Sequence, residues 1–363
     1  MPSLRRTVAR RLLYSGAIVG GGTAALAAAG LTGAALAYWA IRATQRYDLK
    51  GRVVLITGAS RGLGLALSRQ FLRRGAKVAL LARDVETLEN ARQLLAGSGT
   101  VFVRPFDIRD PNQVEQAVND VRQEFGDIDV LVNNAGTLTV GPMDTMTAQD
   151  YEQALNIYFW APLNLTQAVL PSMRNRKTGR IVNISSLGGK IAVPHLLPYC
   201  AGKFALAGWS EGLRQEVAKD GVYVTTVYPG LMRTGSPRNA EFKGQHGAEY
   251  TWFTLSDAMP GLSINADRAA RQIVTACQFG RSELIVSLPA KLAIKAHALF
   301  PGISSFALRT ANQLLPHAEG AKSGSKKGSQ SETAVTRSVL TTLNKRAAQR
   351  NNQVPNPTAV TTR

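Results

Sequence analysis

The chain has 363 residues with 45% hydrophobic and 7% aromatic content, enough for one large α/β domain with a sizeable core and extensions. Its net charge of +19 calls for an anionic partner, but no recognition-helix, zinc-finger or RNA-binding motif accompanies the charge. Sequence-specific nucleic-acid binding is therefore set aside in favour of anionic lipid. Two cysteines, Cys200 and Cys277, exclude a disulfide framework, and four scattered histidines give no metal-ligand spacing, so no metal is expected.

Residues 1–47 read as a basic N-terminus with a membrane anchor. Arg5, Arg6, Arg10 and Arg11 precede an uncharged stretch, 12–41, and the first acidic residue of the chain is Asp48. About 20 apolar residues span a bilayer, so the stretch is long enough, with Tyr38 and Trp39 suited to one interface. The expectation is a single-pass anchor with the catalytic domain on the cytoplasmic side, or the same arrangement in an organellar membrane. A cleaved signal or an organellar targeting peptide are the competing readings. Gly20, Gly21 and Gly22 could instead break the stretch into a re-entrant hairpin.

From 48 to 287 strand-like and helix-like patterns alternate. Apolar runs at 52–57, 77–82, 100–106, 128–134, 179–185, 222–228 and 283–287 predict seven strands. Helical periods near 62–74, 85–96, 111–125, 147–175, 197–219 and 265–279 lie between them. This alternation predicts a single α/β domain built on a doubly wound, parallel, seven-stranded sheet of Rossmann-like form. Residues 288–317 predict two apolar helices split at Pro301–Gly302, and 318–363 read as a basic, disordered tail with a possible short helix at 338–349.

The turn Thr57-Gly-Ala-Ser-Arg-Gly-Leu-Gly64 joins the first strand to the first helix. A pyrophosphate needs backbone N–H groups at a helix N-terminus. Gly58 allows the tight turn, Gly62 the close approach of phosphate, and Gly64 the packing of helix on strand. Ser60 and Leu63 belong to the same cradle. The second strand ends in Ala82-Arg83, where an acidic residue would bind the ribose 2′-OH of NAD. Arg83, with Arg61 converging on it, favours a 2′-phosphate and so NADP over NAD.

With these motifs stand Asn133-Asn-Ala-Gly136, Asn156, Ser186, Tyr199-x-x-x-Lys203 and Pro229-Gly230, in that order. The chain resembles the short-chain dehydrogenase/reductase family over roughly residues 50–287. The resemblance implies roles for these residues. Tyr199 exchanges a proton with the carbonyl or alcohol oxygen, and Lys203, one helical turn later, lowers the tyrosine pKa. Ser186, rather than the adjacent Ser185, holds the substrate oxygen. Asn156 holds a water that relays protons to Lys203. Asn133, Ala135 and Gly136 close the sheet's end on the adenosine side, and Asp107 and Ile108 meet adenine. Pro229, Gly230 and Thr234 position the nicotinamide carboxamide.

Residues 231–262 carry Leu231, Met232, Tyr250, Trp252, Phe253, Leu255 and Met259, in the region that forms a lid in this family. Their apolar content, with the membrane segment, implies a lipophilic carbonyl or alcohol as substrate. The expected protein is a membrane-anchored, NADP-dependent reductase of a lipophilic ketone or aldehyde, and the resemblance implies a homo-oligomer. The alternatives are an NAD-linked alcohol or steroid-type dehydrogenase and a non-catalytic cofactor-binding scaffold.

Overall fold

The computed structural model describes Gly33, residues 46–318 and residues 324–354. The chain divides into two units, Met1–Tyr47 and Asp48–Arg363. The expected anchor, 12–41, lies outside the described residues except for Gly33. No helix among the described residues is long and apolar enough to cross a membrane.

The second unit is built on seven parallel strands: β1 (Val53–Thr57), β2 (Lys77–Ala82), β3 (Val101–Pro105), β4 (Val130–Asn133), β5 (Gly179–Ile184), β6 (Val222–Pro229) and β7 (Glu283–Val286). Their order across the sheet is β7-β6-β5-β4-β1-β2-β3. The seven expected strands all form, each within two residues of the sequence reading. β1, β4 and β5 are buried along their whole length, as Val- and Ile-rich strands covered on both faces should be. Strand order reverses between β1 and β4, and the crevice outside their carboxyl ends is where α/β sheets of this kind take ligands.

The crossover helices are α1 (Gly62–Leu72), α2 (Val85–Leu94), α3 (Pro111–Phe125), α4 (Ala148–Leu155), α5 (Ala161–Asn175) and α6 (Leu197–Val217). Local chemistry fixes their ends. Asp84 caps α2, accepting from the Thr87 N–H at 2.7 Å. Asp110 caps α3, whose first residue is Pro111, and Gly126 stops it at φ +88°. The helix expected over 147–175 is not continuous. A π turn, Asn156–Trp160, separates α4 from α5. Pro162 has no N–H to give the carbonyl four residues back, and the wider turn accommodates that loss.

The crossover from β6 to β7 carries α7 (His246–Ala258) and α8 (Ala266–Gln278), and beyond β7 lie α9 (Leu288–Leu299) and α10 (Pro301–Gln313). The break between α9 and α10 falls where Pro301–Gly302 predicts it. The tail departs from expectation. Residues 326–353 are not a disordered tail: they form α11 (Ala334–Arg337), α12 (Thr342–Arg350) and short turns packed on the domain. Lys326–Lys327 pairs antiparallel with Glu241–Phe242, and Asn344 donates to the Thr254 carbonyl at 3.1 Å. Gly235 lies so close under α12 that a Cβ there would stand 2.4 Å from Ala348 Cα. These contacts are polar or backbone-to-backbone, which is why an apolar pattern did not announce them.

Candidate active site

The glycine-rich turn leaves β1 at Thr57 and enters α1 at Gly62. Gly58 has φ +62°, and a Cβ on it would lie 2.7 Å from Ala135 Cα. A Cβ on Gly64 would lie 2.2 Å from the Gly58 carbonyl oxygen. Both positions therefore require glycine for close backbone approach. The Thr57 hydroxyl is the hub of the turn, accepting the N–H groups of Asn134 and Ala135, each at 3.0 Å. The Asn134 amide donates to the carbonyls of Thr57 and Gly58 at 2.9 and 3.2 Å. Asn133, expected in this role, instead sends its amide sideways to Asn183 at 2.8 Å. Asn134 is thus a tie that sequence reasoning missed, although it stands in the same motif. Side chains alternate along an extended segment, and the sequence does not say which neighbour faces the turn.

Arg61, Arg83 and Asp84 come together at the tip of β2. Burial and the nearby charge of Arg83 lower the Arg61 guanidinium from its usual range, while Asp84 works the other way. Asp84 itself is engaged as the cap of α2, so it does not take the place of a ribose-binding carboxylate. Asp107 is paired with Arg109, which holds its carboxyl below the usual value. Ile108 is buried in the main core beside Leu81. Pro229 ends β6, and Gly230 lies against Ser287 and Ala290 at the start of α9. Thr234 is buried, with its hydroxyl donating to Ser236 at 2.8 Å.

The turn thus fits a dinucleotide: Gly58 and Gly64 let backbone close on backbone at the mouth of a helix, beside two guanidiniums. Ser60 and Leu63 are buried within that turn.

The residues expected to handle the proton, Ser186, Tyr199 and Lys203, lie near one another. Tyr199 and Lys203 share one face of α6. Ser186 follows β5, accepts the Gly188 N–H at 3.0 Å and hydrogen-bonds the Tyr199 side chain. Ser185 points away and donates to the Lys203 carbonyl at 2.9 Å, so the choice between the two serines falls on Ser186. Lys203 is buried, and its ammonium donates to the Ile184 carbonyl at 2.7 Å.

Desolvation shapes both titrating groups. It pushes the Tyr199 hydroxyl up to about 12, with the Ser186 hydrogen bond opposing. It brings Lys203 down to about 7. Burial is the largest influence on the Tyr199 hydroxyl, and Lys203 is not among the groups that shift it.

Asn156 is the residue expected to hold a water near Lys203. It opens the π turn and is exposed. The residue against Lys203 is Tyr158, which is buried, with Lys203 Nζ 4.0 Å from its ring centre. The Tyr158 ring meets that of Tyr199 edge-on at 5.4 Å between centres, and its hydroxyl donates to the Thr137 carbonyl. Gly202, an unusual residue between Tyr199 and Lys203, is explained here: a Cβ would stand 2.9 Å from Tyr158 Cδ2.

Tyr199 also packs against an apolar cluster of Val140, Leu196, Cys200, Phe242, Tyr250, Trp252 and Phe253. Behind it His195 Nδ1 lies 2.8 Å from the Glu249 carboxylate, which also accepts the Trp252 Nε1–H at 2.7 Å.

The comparisons agree with this geometry. Residues 52–243 match the short chain dehydrogenase family model, and the chain belongs to the short-chain dehydrogenase/reductase family. It is accordingly an oxidoreductase of the class whose fold binds NAD(P). The chain is 43% identical over 199 residues to "Dehydrogenase/reductase SDR family protein 7-like" of Anopheles gambiae, a match covering 53% of this chain and 62% of that relative. Among solved structures, a short-chain dehydrogenase from Streptomyces avermitilis superposes with a TM-score of 0.62 at 30% identity, covering 72% of this chain and 98% of the other. L-sorbose reductase from Gluconobacter frateurii, complexed with NADPH and L-sorbose, superposes with a TM-score of 0.59 at 27% identity, over 67% of this chain and 97% of the other.

Proposed function

We propose that the protein is an NADP-dependent reductase of a lipophilic ketone or aldehyde, working at a membrane. The observation that carries the substrate class is the apolar cluster in which Tyr199 sits, with Phe242, Tyr250, Trp252 and Phe253 on its far side. Fold alone does not choose the substrate, since one fold serves many. The solved relative with L-sorbose makes that point for a sugar. Support for NADP comes from Arg61 beside Arg83, with the neighbouring carboxylate Asp84 occupied in capping.

A bound nicotinamide dinucleotide supplies the hydride. The chain's own residues handle the oxygen. Ser186 and Tyr199 hold it between two hydroxyls, and Tyr199 gives it a proton. A hydroxyl near 12 stays protonated through the neutral range and so stands ready to donate. The Lys203 ammonium stabilises the phenolate left behind.

Membrane attachment is proposed through 12–41, with the catalytic domain on the cytoplasmic side or at an organellar membrane. The α9–α10 hairpin supports a membrane setting independently. Leu288, Leu292, Leu299, Phe300, Ile303 and Phe306 are all well exposed there. The segment 284–318 contains Lys291, Lys295 and Arg309 and no acidic residue, a composition suited to an anionic bilayer surface. Homo-oligomers through α4–α5 and α6, as the family resemblance implies, complete the proposal.

A panel of NADPH-dependent reductions tests the substrate class. Medium- and long-chain ketones and aldehydes, offered in micelles, are expected to be turned over with kcat/KM at least tenfold above ketose sugars. A preference for the sugars would overturn the lipophilic reading.

A further inference from the structure

The C-terminal segment lies on the glycine-rich turn. The Gly62 N–H, at the mouth of α1, donates to the Asn351 carbonyl at 2.9 Å. The Asn352 amide donates to the Ser60 and Thr87 carbonyls, both at 2.9 Å. That one side chain therefore bridges the turn after β1 and the first turn of α2, the two walls between which the adenosine end of a dinucleotide has to lie. The Gln353 side chain reaches within 2.9 Å of where a Gly62 Cβ would be, and its Oε1 accepts from the Asn239 amide at 2.6 Å. Asn351 and Asn352 are 2% and 6% exposed, which marks a seated segment rather than a passing one. Its anchor is outside the turn: Arg350 pairs with Asp267 at 2.6 Å, and Arg69 donates to the Arg350 carbonyl at 2.8 Å. The segment itself lies beyond residue 243, where the family match ends.

We propose that the partner of the dinucleotide-binding turn, when no cofactor is held, is the chain's own segment 350–353, which competes with cofactor and lowers its apparent affinity. The same N–H cannot serve Asn351 and a phosphate at once. If only a fraction of molecules have the segment lifted, the apparent Kd rises by the inverse of that fraction. The proposal rests on the turn being a dinucleotide site.

The test is NADPH titration of the full chain by tryptophan-to-nicotinamide energy transfer, with hydrogen exchange read over 342–353. Asn352 has φ +55°, so Asn352→Gly keeps the backbone and removes only the bridging amide. It is expected to bind NADPH about tenfold tighter, and Arg350→Ala, at the exposed anchor, to move the same way by less. Saturating NADPH should speed exchange over 342–353 in the unaltered chain. Unchanged or weaker binding in both variants, or slower exchange on adding NADPH, overturns the competition while leaving the cofactor site standing. Binding by no form of the protein overturns both.

A second inference stands on Tyr158. Lys203 makes no ion pair among the described residues; its buried ammonium has the Ile184 carbonyl, the Tyr158 face at 4.0 Å and the Tyr199 ring at 5.7 Å. We infer that Tyr158 is a positioning residue that holds the Lys203 charge beside Tyr199 through its ring face, in place of a water held by Asn156. The inference rests on the oxidoreductase reading of Tyr199 and Lys203. Its test installs phenylalanine and then increasingly fluorinated phenylalanines at position 158 of the full chain, which keeps the shape and drains the negative ring face. Phenylalanine should retain kcat within about threefold, and kcat should then fall stepwise, tenfold or more across the series, with KM and NADPH affinity unchanged. A flat series on an active enzyme overturns the role of Tyr158 alone. An unaltered protein that reduces nothing overturns the site reading as well.

Discussion

Asp257→Asn isolates the electrostatic cost of one buried carboxylate. Asp257 ends α7, is 4% exposed, and its Oδ2 has no hydrogen-bond partner. Desolvation raises its pKa from 3.8 to about 7, against the opposing Met232 N–H and Arg233. In the unfolded chain the group ionises near 4. The folded state therefore binds the extra proton between about pH 4 and pH 7, and stability falls as pH rises through that window. Three units at about 1.4 kcal/mol each give an upper figure of about 4 kcal/mol. Urea unfolding of both proteins at pH 4.5 and pH 8 measures it. The asparagine variant should gain little at pH 4.5 and about 2–4 kcal/mol at pH 8, relative to the unaltered protein. A difference that does not change with pH would refute the reasoning, whatever its size.

Lys203→Met tests the companion group with the opposite sign. Because burial lowers Lys203 to about 7, the charged form costs stability most below that pH, and the cost fades as pH rises towards 10.5. The variant should be more stable than the parent at pH 6.5 by a few kcal/mol, converging with it near pH 10, with reductase turnover lost; parallel stability curves would refute this. Gly64→Ala forces a Cβ to within 2.2 Å of the Gly58 oxygen, and should cost about 3 kcal/mol, or roughly 6–12 °C in thermal melting. An unchanged melting temperature would contradict the close approach. Arg83→Asp should weaken NADPH binding about tenfold to a hundredfold and spare NADH, read by the same energy transfer; equal loss for both cofactors would remove Arg83 from 2′-phosphate recognition.

The strands and the glycine turn were legible because each rests on a local rule: continuous Val/Ile runs for a doubly covered sheet, and glycines where backbone must approach backbone. Ser186, Tyr199 and Lys203, singled out by the resemblance, lie near one another, with Ser186 rather than Ser185 bonded to Tyr199. What escaped depended on geometry that sequence spacing does not carry. The resemblance singles out Asn156, but nothing in the spacing announces the π turn at Asn156–Trp160 or the Tyr158 ring that stands against Lys203. The raised tyrosine pKa comes from burial, which periodicity cannot measure. The tail was read as disordered from its polar composition. Its order comes from amides such as Asn344, Asn351 and Asn352, each matched to a carbonyl or N–H far away in the chain.

The most direct measurement is a single-turnover reduction of a medium-chain ketone, followed as loss of NADPH absorbance, by the unaltered chain and by Tyr199→Phe with NADPH binding confirmed in both. The unaltered chain should oxidise NADPH, and the phenylalanine variant should bind it as well yet react at least a hundredfold more slowly. Equal rates in the two proteins, or no turnover in either despite bound NADPH, would contradict a reductase whose proton comes from Tyr199.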